Sequence, residues 1–331
     1  MIRATTILRR LRKFFLGTLM VFAGLALLGA SYQQVGQALD RRAVHAPGHL
    51  VTVDNVSMHL YCTGKGGPTV ILEAGAFGFA QAWAWIQPRV AEHTHVCSYD
   101  RAGLGWSEDA EHHDGVAAAK RLHALLRNAG EPGPYVLVGH SLGGALIRIF
   151  ATHYPDDVVA LGFIEPSHPD QLERFPPEAR EAHKRVVRVL SFATTLTYVG
   201  LLRLVNPLGR LHAGLPADDY RAGCMFTSAA PHVRASQKEF AAWASTMAAA
   251  RANLSLGERP LVVVGGTEPM EGMTHDIFAL NHQLHGEIAG LSKYGRHVTI
   301  EGASHMSLLT RQEHAEQVAT LLNELVDNLA R

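Results

Sequence analysis

Cysteine is scarce in this chain, charge is thin, and repetition is absent. Three cysteines, Cys62, Cys97 and Cys224, allow at most one bridge and one spare thiol. That is the natural pattern for an oxidising compartment, with buried unpaired thiols as the alternative. Charged residues make up 18% of the chain against 47% hydrophobic ones, so disorder is not the default. No excess of either sign exists overall, with 30 basic and 30 acidic residues. Acids are missing altogether from residues 1–13, which carry Arg3, Arg9, Arg10, Arg12 and Lys13. Residues 14–331 therefore hold 25 basic and 30 acidic side chains. A mildly acidic body offers no electrostatic reason to bind nucleic acid. With no internal repeat or low-complexity tract, 331 residues suit one large domain or a core with an inserted subdomain.

Charge is also absent from "FFLGTLMVFAGLALLGA", Phe14 to Ala30. As a helix this run is about 25 Å long, close to the ~30 Å hydrocarbon core of a bilayer. Behind five cations at the N-terminus it reads as an uncleaved signal anchor through residues 14–30; secretion after signal-peptide cleavage is the alternative. By the positive-inside rule residues 1–13 stay cytoplasmic and the rest is extracytoplasmic, periplasmic or extracellular.

Beyond the anchor and its linker, residues 1–46, alternation begins with "LVTVDNVSMHLYCTG", a hairpin turning at Asp54-Asn55. Short apolar runs follow: "TVILEAG", "THVCSYD", "YVLVGHS", "VVALGFIEP", "PLVVVGG" and "HVTIEGA". Strands buried on both faces have this appearance, as in parallel sheets covered by helices. Helical patterns lie between them, with Val116, Leu122, Leu125 and Leu126 on one face before Gly130, and Val318, Leu322, Leu325 and Leu329 near the end. The alternation predicts an α/β fold, a mostly parallel central sheet with helices on both faces. Strand-like runs vanish between about Ser167 and Gly257. Residues 167–257 are therefore expected to form an inserted helical cap, and residues 47–166 with 258–331 the core.

"GHSLG", Gly139 to Gly143, fits G-x-S-x-G between a strand and a helix. A serine on such a sharp turn occupies a strained backbone conformation that small neighbours make possible. The turn lifts the hydroxyl above the sheet edge, at a helix N-terminus whose free N–H groups suit a developing oxyanion.

On these residues the chain resembles α/β-hydrolase fold enzymes over roughly residues 50–329, and in particular N-terminally membrane-anchored bacterial serine hydrolases and esterases. "YDRAGLGWS", Tyr99–Ser107, is similar to the family's D-x-R-G-x-G-x-S loop. "EAGAFG", Glu73–Gly78, stands where many members carry His-Gly, with Ala74 replacing the histidine. The resemblance implies Ser141 as nucleophile and the N–H groups of Leu142 and Ala76 as the oxyanion hole. It also implies His305 as base, since "GASH" follows the strand "HVTIE" and precedes the last helix. His140 beside the nucleophile is expected to orient the elbow, and His297 lies in the strand itself. For the acid, Glu165 at the end of the sixth strand is preferred, because a carboxylate ending an apolar strand needs a partner. Glu268, after the seventh strand, stays open as the alternative. The fold's usual strand order would also bring Cys62 and Cys97 together as a disulfide.

The expected activity is cleavage of a carboxylic ester through an acyl-enzyme, on a small-molecule, lipophilic acyl substrate. An amidase or aminopeptidase of the proline-iminopeptidase type is the alternative, and a non-catalytic membrane-linked binding module a third reading. Serine at the elbow argues against epoxide hydrolases and dehalogenases, whose alkyl-enzyme esters need a carboxylate nucleophile. No metal and no organic cofactor is expected; "EHHD", Glu111–Asp114, lacks helical ligand spacing and reads as a solvated loop.

Overall fold

The computed structural model describes residues 2–252, 255–270 and 272–329. A single helix, α1 (Ile2–Ala43), opens the chain. It spans about 63 Å at 1.5 Å per residue. Most of its apolar run is bare: Phe14, Phe15, Met20, Phe22, Leu27 and Leu28 are all exposed. This helix is long and apolar enough to cross a membrane. Its C-terminal part docks on the body. Gln33 is buried, donates to the Ser228 carbonyl and accepts from Arg203, while Arg203 also pairs with Asp40 at 2.7 Å. Gly29 permits this approach, because a Cβ there would stand 2.2 Å from the Val199 carbonyl oxygen.

The hairpin forms as expected. β1 (His49–Val53) and β2 (Val56–Thr63) pair antiparallel, and Asp54 and Asn55 both take the left-handed conformation that a two-residue turn demands. Six further strands are β3 (Thr69–Glu73), β4 (Val96–Tyr99), β5 (Tyr135–His140), β6 (Val158–Ile164), β7 (Leu261–Gly266) and β8 (Gly295–Ile300). They build one sheet in the order β1-β2-β4-β3-β5-β6-β7-β8, parallel from β4 onward. The β2–β4 register sets Cys62 opposite Cys97, and the two are joined by a disulfide; Cys224 is free.

β3 and β5 are buried at every position, which explains their unbroken apolar sequences. One face of the sheet is covered by α2 (Gly115–Ala129), where Asp114 caps the first turn and Gly130 ends the helix in the left-handed region. α3 (Leu142–His153) packs beside it, buried over its first ten residues. The other face is covered largely by α10 (Gln312–Asp327) through Val318, Leu322 and Leu325.

Among the described residues, no strand lies between β6 and β7 and the elements there are helices, among them α4 (Pro177–Tyr198), α5 (Leu201–Val205), α6 (Ala217–Thr227), α7 (Ala230–Ala241) and α8 (Trp243–Arg251). α8 departs from the expected cap over 167–257. Its Met247 and Ala250 join the same buried cluster as Leu122 and Ile149, so this helix completes the layer of α2 and α3. α9 (His275–Ala289) follows β7.

Candidate active site

Ser141 ends β5 and starts α3 with φ 54° and ψ −119°, a conformation that costs an L-residue of order 1–3 kcal/mol. Backbone bonds on both sides hold it there: its N–H donates to Ile164, and its carbonyl accepts from Gly144 and Ser167. The glycine two residues later is a packing requirement, since a Cβ on Gly143 would lie 2.3 Å from the Glu73 carbonyl oxygen.

His305 sits in the loop after β8 and lines the same cavity as Ser141. Its Nδ1 lies 3.6 Å from Glu165 Oε2, which leaves Nε2 as the ring nitrogen for a substrate-side proton. Glu165 follows β6 in a positive-φ conformation (43°) and is only 6% exposed. Burial by itself would raise its pKa. The approach of His305, the charge of His285 and the Gly266 N–H, 2.8 Å from Oε1, outweigh that and bring it down to about 2. Asn281 approaches Oε2 at 3.5 Å. Glu268 is exposed at the rim of the smaller cavity that Glu165 and His305 share, and its backbone N–H bonds Ala303. The structure therefore brings Ser141, His305 and Glu165 together and gives Glu268 no ion pair with His305 among the described residues.

His140, expected to orient the elbow, also reaches the loop of His305. It is fully buried, and burial beside His305 lowers its pKa to about 3, so the ring is neutral. Its Nε2 donates to the His305 carbonyl at 3.0 Å, with the two rings 4.6 Å apart. The residue next to the serine thus anchors the loop that carries the histidine.

Leu142 opens the first turn of α3, where N–H groups lack intrahelical acceptors. Ala76 lies in the loop after β3, and both Ala76 and Ser141 line the cavity. Sequence reasoning missed what fixes that loop. Arg101, from the "YDRAGLGWS" segment, donates to the carbonyls of Ala74 and Gly75 at 2.6 and 2.8 Å. The same guanidinium bonds Glu73 at 2.7 Å and Glu239 of α7 at 2.6 Å, all three side chains being buried. Tyr99 donates its hydroxyl to Glu73. Burial raises the Glu73 pKa against the pull of Arg101, while the two carboxylates raise Arg101 against burial. Asp100 beside it accepts from the N–H groups of Ala80 and Trp106, both at 2.8 Å. The arginine and aspartate of the motif were visible in the sequence; their partners were not.

Above Ser141 opens a cavity of about 620 Å³. Its walls are Phe77, Leu190, Leu208, Leu211, Leu215, Phe240 and Leu309, with Val186, Val189 and Met270 at the exposed mouth. Arg185 is its one acyclic charged side chain among the described residues.

The Alpha/beta hydrolase family model matches residues 70–321. Lipase LipV of Mycobacterium tuberculosis is 34% identical over 113 residues, covering 34% of this chain and 42% of that protein. Of other curated relatives the chain spans 29% of one, 54% of a second and 39% of a third. Among solved structures, a thermophilic esterase from Thermogutta terrifontis superposes with a TM-score of 0.59 at 21% identity, covering 83% of this chain and 95% of the esterase. The epoxide hydrolase CorEH gives 0.63 at 20% identity, covering 83% and 96%. At these identities the structural likeness speaks to fold alone.

Proposed function

Since the chain belongs to the alpha/beta hydrolase family, we propose that it is a serine hydrolase cleaving carboxylic esters through an acyl-enzyme on Ser141. The observation that carries this reading is the line from Glu165 through His305 to the cavity that holds Ser141. His305 Nε2 takes the hydroxyl proton as Ser141 attacks the carbonyl carbon, and returns it to the leaving alcohol. Glu165 stays ionised and fixes the Nδ1–H tautomer. The N–H groups of Leu142 and Ala76 hold the oxyanion, each contributing on the order of 3–4 kcal/mol in such sites. Water activated by His305 then releases the acid.

The apolar cavity supports a lipophilic acyl group. An aminopeptidase would need an acid near the substrate's amine; the main cavity presents Arg185 instead, and Glu268 lines only the smaller one. α1 supports membrane anchorage through residues 14–30, with the catalytic body on the extracytoplasmic side. Fluorophosphonate labelling of the full chain and of Ser141→Ala tests the nucleophile, and a panel of acyl esters and aminoacyl amides tests the substrate. Labelling that persists in Ser141→Ala, or turnover of amides alone, overturns the proposal.

A further inference from the structure

Twenty histidines are many for a reaction that uses one. Three of them converge beside Glu165. His282 and His285 are three residues apart on α9 and so share a helix face, turned toward β7 and β8. His297 lies on β8 opposite Val263 of β7. Each offers a ring nitrogen within 4.8 Å of the other two. Gly265 of β7 borders the same space: a Cβ there would stand 3.3 Å from His297 Nε2, 3.4 Å from Glu165 Oε1 and 3.5 Å from His282 Cε1.

Ordinary core packing does not account for these rings. His285 is completely buried. Its Nε2 meets the Asn281 amide at 3.3 Å, which an imidazole Nε2–H can engage only through the amide oxygen. Yet its Nδ1 has no hydrogen-bond partner, and neither does the buried Nε2 of His297. Two unsatisfied buried nitrogens on neighbouring rings of one cluster are costly unless something satisfies them. His282 Nε2 lies 2.9 Å from the Gly266 carbonyl oxygen. That contact fixes one nitrogen as the N–H and leaves the other its lone pair, as outer-shell carbonyls do for metal-bound histidines.

We propose that His282, His285 and His297 form a binding site for one divalent transition-metal ion of the zinc class. Neutral imidazole is the ligand these ions prefer. Zinc–nitrogen bonds of about 2.0–2.1 Å need the nitrogens closer than 4.8 Å, which modest ring rotations supply. Three histidines leave a fourth position for water or for Glu165 Oε1. A dication there competes with His305 for the carboxylate, so metal binding lowers hydrolysis. This consequence rests on the function proposed above; the site itself does not.

The test uses the untagged full chain in detergent, stripped of metal, with its disulfide intact. Titration with Zn(II) by calorimetry, and with Co(II) by visible absorption, should give one ion per chain. His282→Ala and His297→Ala should each weaken binding by at least about tenfold. His95→Ala, in the separate group of Cys62, His95, Cys97 and Glu131, should leave it unchanged. Stoichiometric Zn(II) should also slow ester turnover reversibly in the wild type and not in His297→Ala. Absence of binding, or binding that survives both alanine variants, overturns the site. Binding without effect on turnover refutes the coupling to Glu165 and upholds the site. Failure of the chain to hydrolyse any ester leaves the binding result intact and counts against the proposed function alone.

Discussion

The sheet and the helices over its edge hold their residues in opposite ways. In the sheet, Ser141, Glu165 and the loop bearing His305 are fixed by backbone hydrogen bonds to neighbouring strands and loops, and Glu73, Asp100 and Arg101 are buried and paired. Over the edge, α4 and α5 leave Phe192, Leu204 and Val205 about two-thirds exposed or more. The candidate reactive groups sit where geometry is over-determined; the helices over the edge are looser. On the function proposed above, chemistry and substrate choice are divided between the two, and each can be broken separately.

The largest effect is expected at the nucleophile. Ser141→Ala should lower kcat by at least about 10⁴-fold on every ester turned over, because the base has nothing to activate. A steady-state assay and loss of fluorophosphonate labelling read this out. Next comes the acid. Glu165→Gln should cost up to about 10⁴-fold in kcat by favouring the wrong His305 tautomer. Glu268→Gln, at an exposed position, should stay within the ±0.5 kcal/mol typical of surface changes, about twofold. Reversal of that order would move the acid to the seventh strand's loop.

The third prediction cuts the joint between the two regions. Arg101 ties Glu239 of the overlying α7 to Glu73 and to the carbonyls before Ala76. Arg101→Met leaves two buried carboxylates without their cation, which should cost about 3–5 kcal/mol of stability, read as a drop in Tm. Where the variant still folds, kcat should fall more than KM rises, since the carbonyls that place the Ala76 N–H are released. Glu239→Gln keeps the shape and a hydrogen bond and should be milder in both.

These contrasts also show what a single sequence can disclose. The turn at Ser141 and the strands themselves were legible because G-x-S-x-G and continuous apolar runs carry local steric meaning; the pairing of the second strand with the fourth came only from the resemblance to a known fold. His305 was legible from its position after the last strand. The choice between Glu165 and Glu268 was not, because both glutamates follow strands, and only the three-dimensional approach of Glu165 to Nδ1 separates them. Arg101 was quoted in a motif, but a contact with Glu239, 138 residues away, has no local signal. The reach of α8 into the core layer was hidden for a similar reason, since its alanine-rich sequence looks like that of its neighbours.

The smallest effect compares a buried histidine from each region as pH falls. His212, among the overlying helices, is held down to about 4 by burial, and His140, in the sheet, to about 3 by burial beside His305. In the unfolded chain both take up a proton near pH 6.5, while the folded state keeps them neutral to much lower pH. Between 6.5 and those values the unfolded state binds more protons, so stability is full above 6.5 and declines as pH drops. Each residue contributes a slope of about 1.4 kcal/mol per pH unit in that window. His212→Leu, which removes a ring whose Nε2 has no partner, should flatten Tm against pH between 6.5 and 5 by one proton's worth. His140→Leu should flatten it equally and also lower kcat, because the His305 carbonyl loses its donor. Equal flattening with unequal turnover would separate a histidine that only fills space from one that holds the base; equal turnover would mean that the bond to His305 positions nothing.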